Sequence, residues 1–333
     1  MSTPRARAEL IEDRGEAAAS DQFFRSREFL DAEGATHTLR IEGEGVELLA
    51  PLIVREIDGT GERDATSPYG YPGLVEDEGS RGHARRSNSG EAPPDMSPTP
   101  LKLDPSAIDF LGTGLVSVFI RHTLDGPLLM GTTARNVVQI ADPALAPKSR
   151  PSDRRQVRKN REAGYELELV PGPETTPAQR GGTLAVYEQT MRRTAAADHY
   201  FFGATYFDRI LEADNTWLAL ATAPDGTLAA DSLAAVSDGY LHYYLSGSAD
   251  SHLRDSPMKN VVTRLIEHAA DLELPLNLGG GITAGDALEE FKRGFANRQE
   301  TWQTSEIICD PATYERLSAG RGPGGFFPAY RAP

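Results

Sequence analysis

Two hydrophobic periods alternate between residues 165 and 308, and only a layered core of sheet and helices buries both. "YELELV" (165–170), "TWLALAT" (216–222), "TLAADSLAAVS" (227–237) and "GYLHYYLSGS" (239–248) read as strands, and "APDG" joins the second to the third as a hairpin. "SPMKNVVTRLIEHAADL" (256–272) carries the helical period instead. Met258, Val261, Val262, Leu265, Ile266 and Ala269 share one face, Ser256 is placed to cap, and Pro257 fits the first helical position. Residues 178–198 read as a further helix with Leu184, Tyr187 and Met191 on one side. "PLNLGGGI" (275–282) is a short strand ending in glycines, "LEEFKRGF" (288–295) a short helix, and "TWQTSEIIC" (301–309) a last strand. Strand, helix, antiparallel strands, helix, strand, helix, strand is a mixed α/β layer fold.

The first half reads as a second unit of the same class. "GVELLAPLIVREI" (45–57), "GLVSVFIRHT" (114–123) and "NVVQI" (136–140) are apolar strands, and "FFRSREFLDA" (23–32) is a helix. "DATSPYGYPG" (64–73) is a shaped loop that displays Tyr69 and Tyr71. The expected organisation is a disordered N-terminus (1–20), a first domain (21–147) with a flexible insertion (76–105), a second domain (148–310) and a tail (311–333). The insertion is expected to be flexible because it has almost no large apolar side chains to offset its ordering entropy. The 333 residues carry a net charge of −15, which repels nucleic acid phosphate in general, so any such partner must be held at a local basic patch. One cysteine, Cys309, excludes an internal disulfide and a cysteine metal cluster; no metal site is expected. No apolar run reaches membrane-spanning length, and the N-terminus has no apolar signal core, so the expectation is a cytoplasmic protein without membrane insertion.

Two stretches depart from these patterns. "KSRPSDRRQVRKNR" (148–161) gathers Arg154, Arg155, Arg158 and Lys159 among seven cations against one acid, on a helix that Ser152 or Asp153 would cap and Gly164 would end. It is either a solvated connecting helix or a phosphate-gripping strip. In "LEEFKRGF" the spacing places Leu288, Phe291 and Phe295 on a buried stripe, yet Lys292 occupies the fourth apolar position. Its stem can cover core while its head reaches water, or its head can serve a site. "LGGGI" allows close backbone approach to a ligand at Gly280, or merely a turn into the next helix.

The words "SPYGYPG", "RRQVRKNREAGYELE", "YYLSGS", "SPMKNVVTRLIEHA", "LGGG" and "FKRGF", in this order, resemble the Gcn5-type N-acyltransferase (GNAT) superfamily. More closely they resemble the Fem-type (FemABX) peptidyltransferases. The resemblance implies an α/β fold of two tandem GNAT-like domains, each a mixed, mostly antiparallel sheet flanked by helices. It also implies amide-bond formation with an amino acid drawn from aminoacyl-tRNA. By it, Lys292 contacts the aminoacyl end and the transition state, and Phe291 packs or stacks on the terminal adenine. Arg193, Tyr200 and Tyr244 contact the acceptor. Tyr69 and Tyr71 either line the same cleft or pack on a rigid loop, and Arg154, Arg155, Arg158 and Lys159 are the cations expected to hold tRNA. His242 or Asp231 could serve as the base that deprotonates the amine, against a merely packed role for each.

"SGSADSHLRDSPM" (246–258), where CoA-dependent members of that superfamily hold pyrophosphate on a glycine-rich loop, has one glycine, several acids and a proline. The expectation is therefore an aminoacyl-tRNA co-substrate and no separate cofactor, with a CoA thioester as the alternative donor. The acceptor is the amine of a small molecule or peptide intermediate, free or carrier-protein bound, in natural-product assembly, since no coiled-coil arm points to cell-wall precursors. A peptidoglycan-precursor aminoacyltransferase, a CoA-dependent N-acyltransferase and a catalytically silent ligand-binding protein are the rivals.

Overall fold

The structure is a computed structural model that describes residues 5–43, 45–77, 102–321 and 325–332. The chain divides into two compact units. One comprises residues 1–20, 33–135 and 302–333; the other comprises residues 21–32 and 136–301.

The first unit is a mixed sheet. Its strands are β1 (Ala6–Ile11), β2 (His37–Gly43), β3 (Val46–Ile57), β4 (Glu62–Thr66), β5 (Val75–Glu76), β6 (Ile108–Asp109) and β7 (Leu115–Arg121). They run in the order β6-β1-β2-β3-β4-β7, with β5 on β3. Residues 304–308 of the last strand continue the order beside β7. The pairs β1–β6 and β4–β7 are parallel and the rest antiparallel. Alternation puts Leu39, Ile41, Leu48, Ala50, Leu52, Val118 and Ile120 into one buried cluster.

The second unit holds β8 (Thr133–Ala141, from residue 136), β9 (Glu166–Pro171), β10 (Thr216–Thr222), β11 (Leu228–Ser237), β12 (Tyr240–Ser248), β13 (Leu276–Asn277) and the start of β14 (Arg298–Ile308). The order is β8-β13-β12-β11-β10-β9, antiparallel except for β12–β13. Its helices are α1 (Arg27–Glu33, to residue 32), α2 (Pro151–Glu162), α3 (Pro177–Arg193), α4 (Ala204–Ile210), α5 (Met258–Asp271) and α6 (Ala287–Arg293). Val261, Val262, Leu265 and Ala269 of α5 pack on Leu241 and on Ala219, Ala221, Ala230 and Ala234, whose small side chains let the helix sit close to the sheet. On the opposite face α3 rests directly on β12: a Cβ added to Gly247 would lie 2.8 Å from the Val186 and Tyr187 backbone. Thr176 and Gln179 form a capping box at the start of α3, with Pro177 inside the first turn.

Several expectations are corrected. The N-terminus is not disordered from residue 5 onward: Ala6 and Ala8 are buried in β1, where alanines too small to signal an apolar strand alternate with charges. The segment 21–32 belongs to the second unit and 302–333 to the first, so neither domain is a continuous stretch as 21–147 and 148–310 supposed. The described residues of the tail carry elements of their own. α7 (Pro311–Ser318) packs through Tyr314 and Leu317 around buried Tyr330, Ile57 and Val116. Of the insertion placed at 76–105, residues 78–101 lie outside the described residues. Neither Ser152 nor Asp153 caps α2: Pro151 opens it, and Asp153 is buried inside the first turn. In α5 the helix starts after Pro257, and Ser256 sits in left-handed backbone without capping. In β12 a register shift between Leu233 and Ala234 leaves Tyr244 as an extra residue. Leu245 therefore pairs with Leu233 and alternation restarts one position late.

Candidate active site

The inward face of α6 is polar. Leu288 is 40% exposed, whereas Glu289 and Lys292 are each 8% exposed, so the helix is turned away from the stripe its spacing predicts. Phe291 and Phe295 still pack against the α5 core, their rings 5.4 Å apart. Phe291 is thus half-buried core packing rather than a ring held free for a base.

Lys292 Nζ donates to the Gly280 carbonyl at 2.7 Å and lies 5.9 Å from the Tyr243 ring centroid. A Cβ on Gly279, whose φ is +75°, would stand 3.2 Å from Nζ. An ammonium has three donors, and only one meets a protein acceptor among the described residues. Burial lowers the Lys292 ammonium to about 8, with the Asp286 carboxylate opposing that drop.

The glycine loop is fixed from two sides. Asp286 caps α6 by accepting from the Glu289 amide at 2.7 Å, and its other oxygen accepts from Ile282 at 2.7 Å and Thr283 at 3.0 Å. These amide bonds hold its carboxyl below the usual range. From below, Asn277 Oδ1 accepts from the Gly279 amide at 2.8 Å, and its Nδ2 donates to His242 Nδ1 at 3.1 Å. His242 Nε2 then carries the proton and donates to the Ser237 carbonyl at 3.2 Å. Burial lowers His242 to about 4. With both ring nitrogens engaged and 2% exposure, His242 supports the loop through Asn277 and offers no lone pair to a substrate amine.

The other residues expected at the site lie elsewhere. Asp231 is 1% exposed on the α3 side of β11, and neither oxygen makes a hydrogen bond of normal geometry. Burial pushes its carboxyl far up, although Thr183 and the Gly247 backbone lie near enough to favour the charged form. It is a neutral acid and does not fit the role of base. Tyr244 packs its ring against Phe23, Phe24 and Phe29 and shares a 2.7 Å hydrogen bond with the Tyr206 hydroxyl. Arg193 is engaged by Asp250, the Ser248 carbonyl at 3.1 Å and Thr190 at 3.1 Å. Tyr200 ends the turn after α3, its ring 4.1 Å from His199. Tyr69 and Tyr71 belong to the first unit, where the Tyr69 amide donates to Glu33 and Tyr71 contacts Trp302 at 5.8 Å.

On α2, Asp153, Val157 and Asn160 face inward. Asp153 pairs with Lys259 at 2.9 Å, and Asn160 donates to Asn260 at 2.8 Å. Arg154, Arg155, Arg158 and Lys159 all face solvent. Arg158 has only a 3.8 Å approach to Glu162, and both side chains are about 70% exposed.

Residues 147–293 match the family of acetyltransferase (GNAT) domains. FemX superposes with a TM-score of 0.57 at 11% identity, over 92% of this chain and 99% of that one. The fold is α/β, two units built on mixed sheet with helices, and the matched stretch makes the second of them GNAT-like. The C-terminal domain of a putative lysylphosphatidylglycerol synthetase from Agrobacterium fabrum gives 0.54 at 15% identity, over 90% and 94% of the chains. L-PGS from Bacillus licheniformis gives 0.50 at 9% identity, over 85% and 88%. No curated protein matches the chain. Within the GNAT-like second domain, sequence reasoning missed Tyr243, Asn277 and Asp286. Asp286 had a signal: Asp-x-x-Glu just before the short helix is a capping pattern. Asn277 had none, because its role depends on the parallel pairing of β13 with β12.

Proposed function

We propose that the protein is an aminoacyl-tRNA-dependent, amide-forming transferase that moves an amino acid to the amine of a small molecule or peptide intermediate in natural-product assembly. The observation that carries this reading is Lys292, a buried ammonium with two donors uncommitted among the described residues, beside a fixed glycine loop. A buried cation short of acceptors favours an incoming negative oxygen. In the reaction the acceptor amine attacks the ester carbonyl carbon and Lys292 donates to the oxygen that gains charge. The C–O ester bond then breaks as the amide forms. The amine loses a proton and the departing ribose oxygen gains one.

Two further features favour charged tRNA over a CoA thioester. The turn after β12 is closed on itself: the amides of Ser256, Lys259 and Asn260 bond to Leu253, Ser256 and Pro257, and Pro257 has none. A pyrophosphate cradle needs such amides free. The solvent face of α2 also offers cations in a chain of net charge −15. One of the similar structures is named for a product that carries a lysyl group, and the reading extends aminoacyl chemistry of that kind to this chain.

The test is incubation with a mixed charged-tRNA pool and candidate amines, followed by mass spectrometry. Amide formation abolished by ribonuclease is expected. Activity that survives ribonuclease but requires acetyl-CoA would replace this reading with the CoA one. Changing Arg154, Arg155 and Arg158 together to Gln should weaken tRNA binding and reduce the slope of log affinity on log salt by about 2. An unchanged slope would reject α2 as the phosphate contact.

A further inference from the structure

We infer that Asp286 is a positioning residue for Lys292, fixing the glycine loop that anchors the ammonium and keeping that ammonium charged. The inference rests on the proposed use of Lys292, but its geometry is independent of any substrate. Asp286 accepts from three backbone amides on two sides of the loop, those of Ile282, Thr283 and Glu289. The middle glycine is shaped around it, since a Cβ on Gly281 would stand 2.4 Å from Asp286 Oδ1. One carboxylate therefore ties the start of α6, which carries Lys292, to the loop whose Gly280 carbonyl holds Nζ.

Its charge acts on the same group. Among the described residues no other anion acts on it: Asp153 of α2, which lies beside Gly294, pairs with Lys259 at 2.9 Å. From β12 comes the Tyr243 phenol, whose hydroxyl donates to Met258 sulfur at 3.2 Å. From β13 and the loop come backbone groups and neutral Asn277. On α6 itself, Glu289 is occupied by the Gly285 amide at 2.7 Å and by Arg293, and Glu290 pairs with Arg150 and Arg293. Asp286 is the charge that offsets the burial of Lys292.

The chain has five lysines, Lys102, Lys148, Lys159, Lys259 and Lys292, so lysine labelled with ¹³C at the ε carbon gives few signals. Lys292→Arg identifies the one that belongs to residue 292. In the unaltered protein that signal should titrate near 8. In Asp286→Asn the midpoint should fall by about one pH unit. Asp286→Ser keeps a capping oxygen but no charge, so it should show the same fall and guards against a folding defect of the first variant. The high-pH limb of aminoacyl transfer should move with the midpoint in both variants. A midpoint unmoved or raised in both variants overturns the inference. A lowered midpoint in a protein that transfers no amino acid from tRNA leaves Asp286 as the determinant of Lys292 charge and defeats the transferase reading instead.

Discussion

Lys292→Met is expected to lower aminoacyl transfer by roughly 10²–10³, the usual loss when one donor to a developing oxyanion is removed. Methionine keeps most of the length and apolar stem of lysine, so the packing beside the Tyr243 ring survives. The fold should not suffer. A buried ammonium with one partner is costly, and an apolar replacement of similar size is often neutral or stabilising. The check is turnover alongside thermal melting; loss of activity together with a fall in melting temperature would point to a structural lysine. The pH dependence carries a sign as well. Lys292 donates as an ammonium, so transfer in the unaltered protein should decline as pH rises through about 8. Stability moves the other way. The folded value lies below the ordinary 10.5, so the fold is penalised while Lys292 is charged. That penalty is full below about 8 and is relieved as pH rises from there to 10.5. Lys292→Met should flatten both dependences.

The second large effect is expected far from the chemistry. Asp64 is fully buried in the first unit and accepts from Arg55 at 3.0 Å, from Nε and Nη2 of Arg331 and from the Tyr330 hydroxyl at 3.2 Å. Tyr330 also meets Ser117 at 2.7 Å. Asp64→Ala removes the shared acceptor of two guanidinium groups that still reach solvent, and it strands the Tyr330 hydroxyl, so the loss is about 1–3 kcal/mol. The melting temperature should fall by roughly 3–10 °C. Arg331→Ala removes a partner that is 26% exposed and should cost less. Equal losses from the two variants would show that the C-terminal segment, rather than the carboxylate, supplies the stability.

The elements of the second half were legible because each carries its own period. β10, β11 and α5 announce themselves within a dozen residues, whatever they later pack against. What could not be read depends on partners distant in sequence. Nothing local says that Phe23 and Phe24 cover His242 and Tyr244. The extra residue in β12 arises from its pairing with β11, and no letter marks it. At the site, Lys292 and Gly280 were legible as misfits, a cation on a helix with two phenylalanines and a run of glycines at a strand end. The stripe itself was misjudged: hydrophobicity argues Leu288 inward, while capping by Asp286 and the Gly280 carbonyl turn Glu289 and Lys292 inward instead. His242 and Asp231 looked basic as letters. Burial removes that property from both, one by occupying its nitrogens and the other by keeping its proton.

The crossing of residues 21–32 into the second unit bears on how the protein can be divided. Phe23, Phe24 and Phe29 have no exposed surface, and their rings contact one another and Tyr244. Arg25 fastens the same segment to Asp238 at 2.6 Å. A fragment of residues 136–301 would keep β8, the glycine loop, Lys292 and the basic helix, yet would leave an aromatic face bare. No single cleavage of the chain releases the second unit whole. A peptide spanning 21–32, added to such a fragment, is the missing piece that would return it to solution.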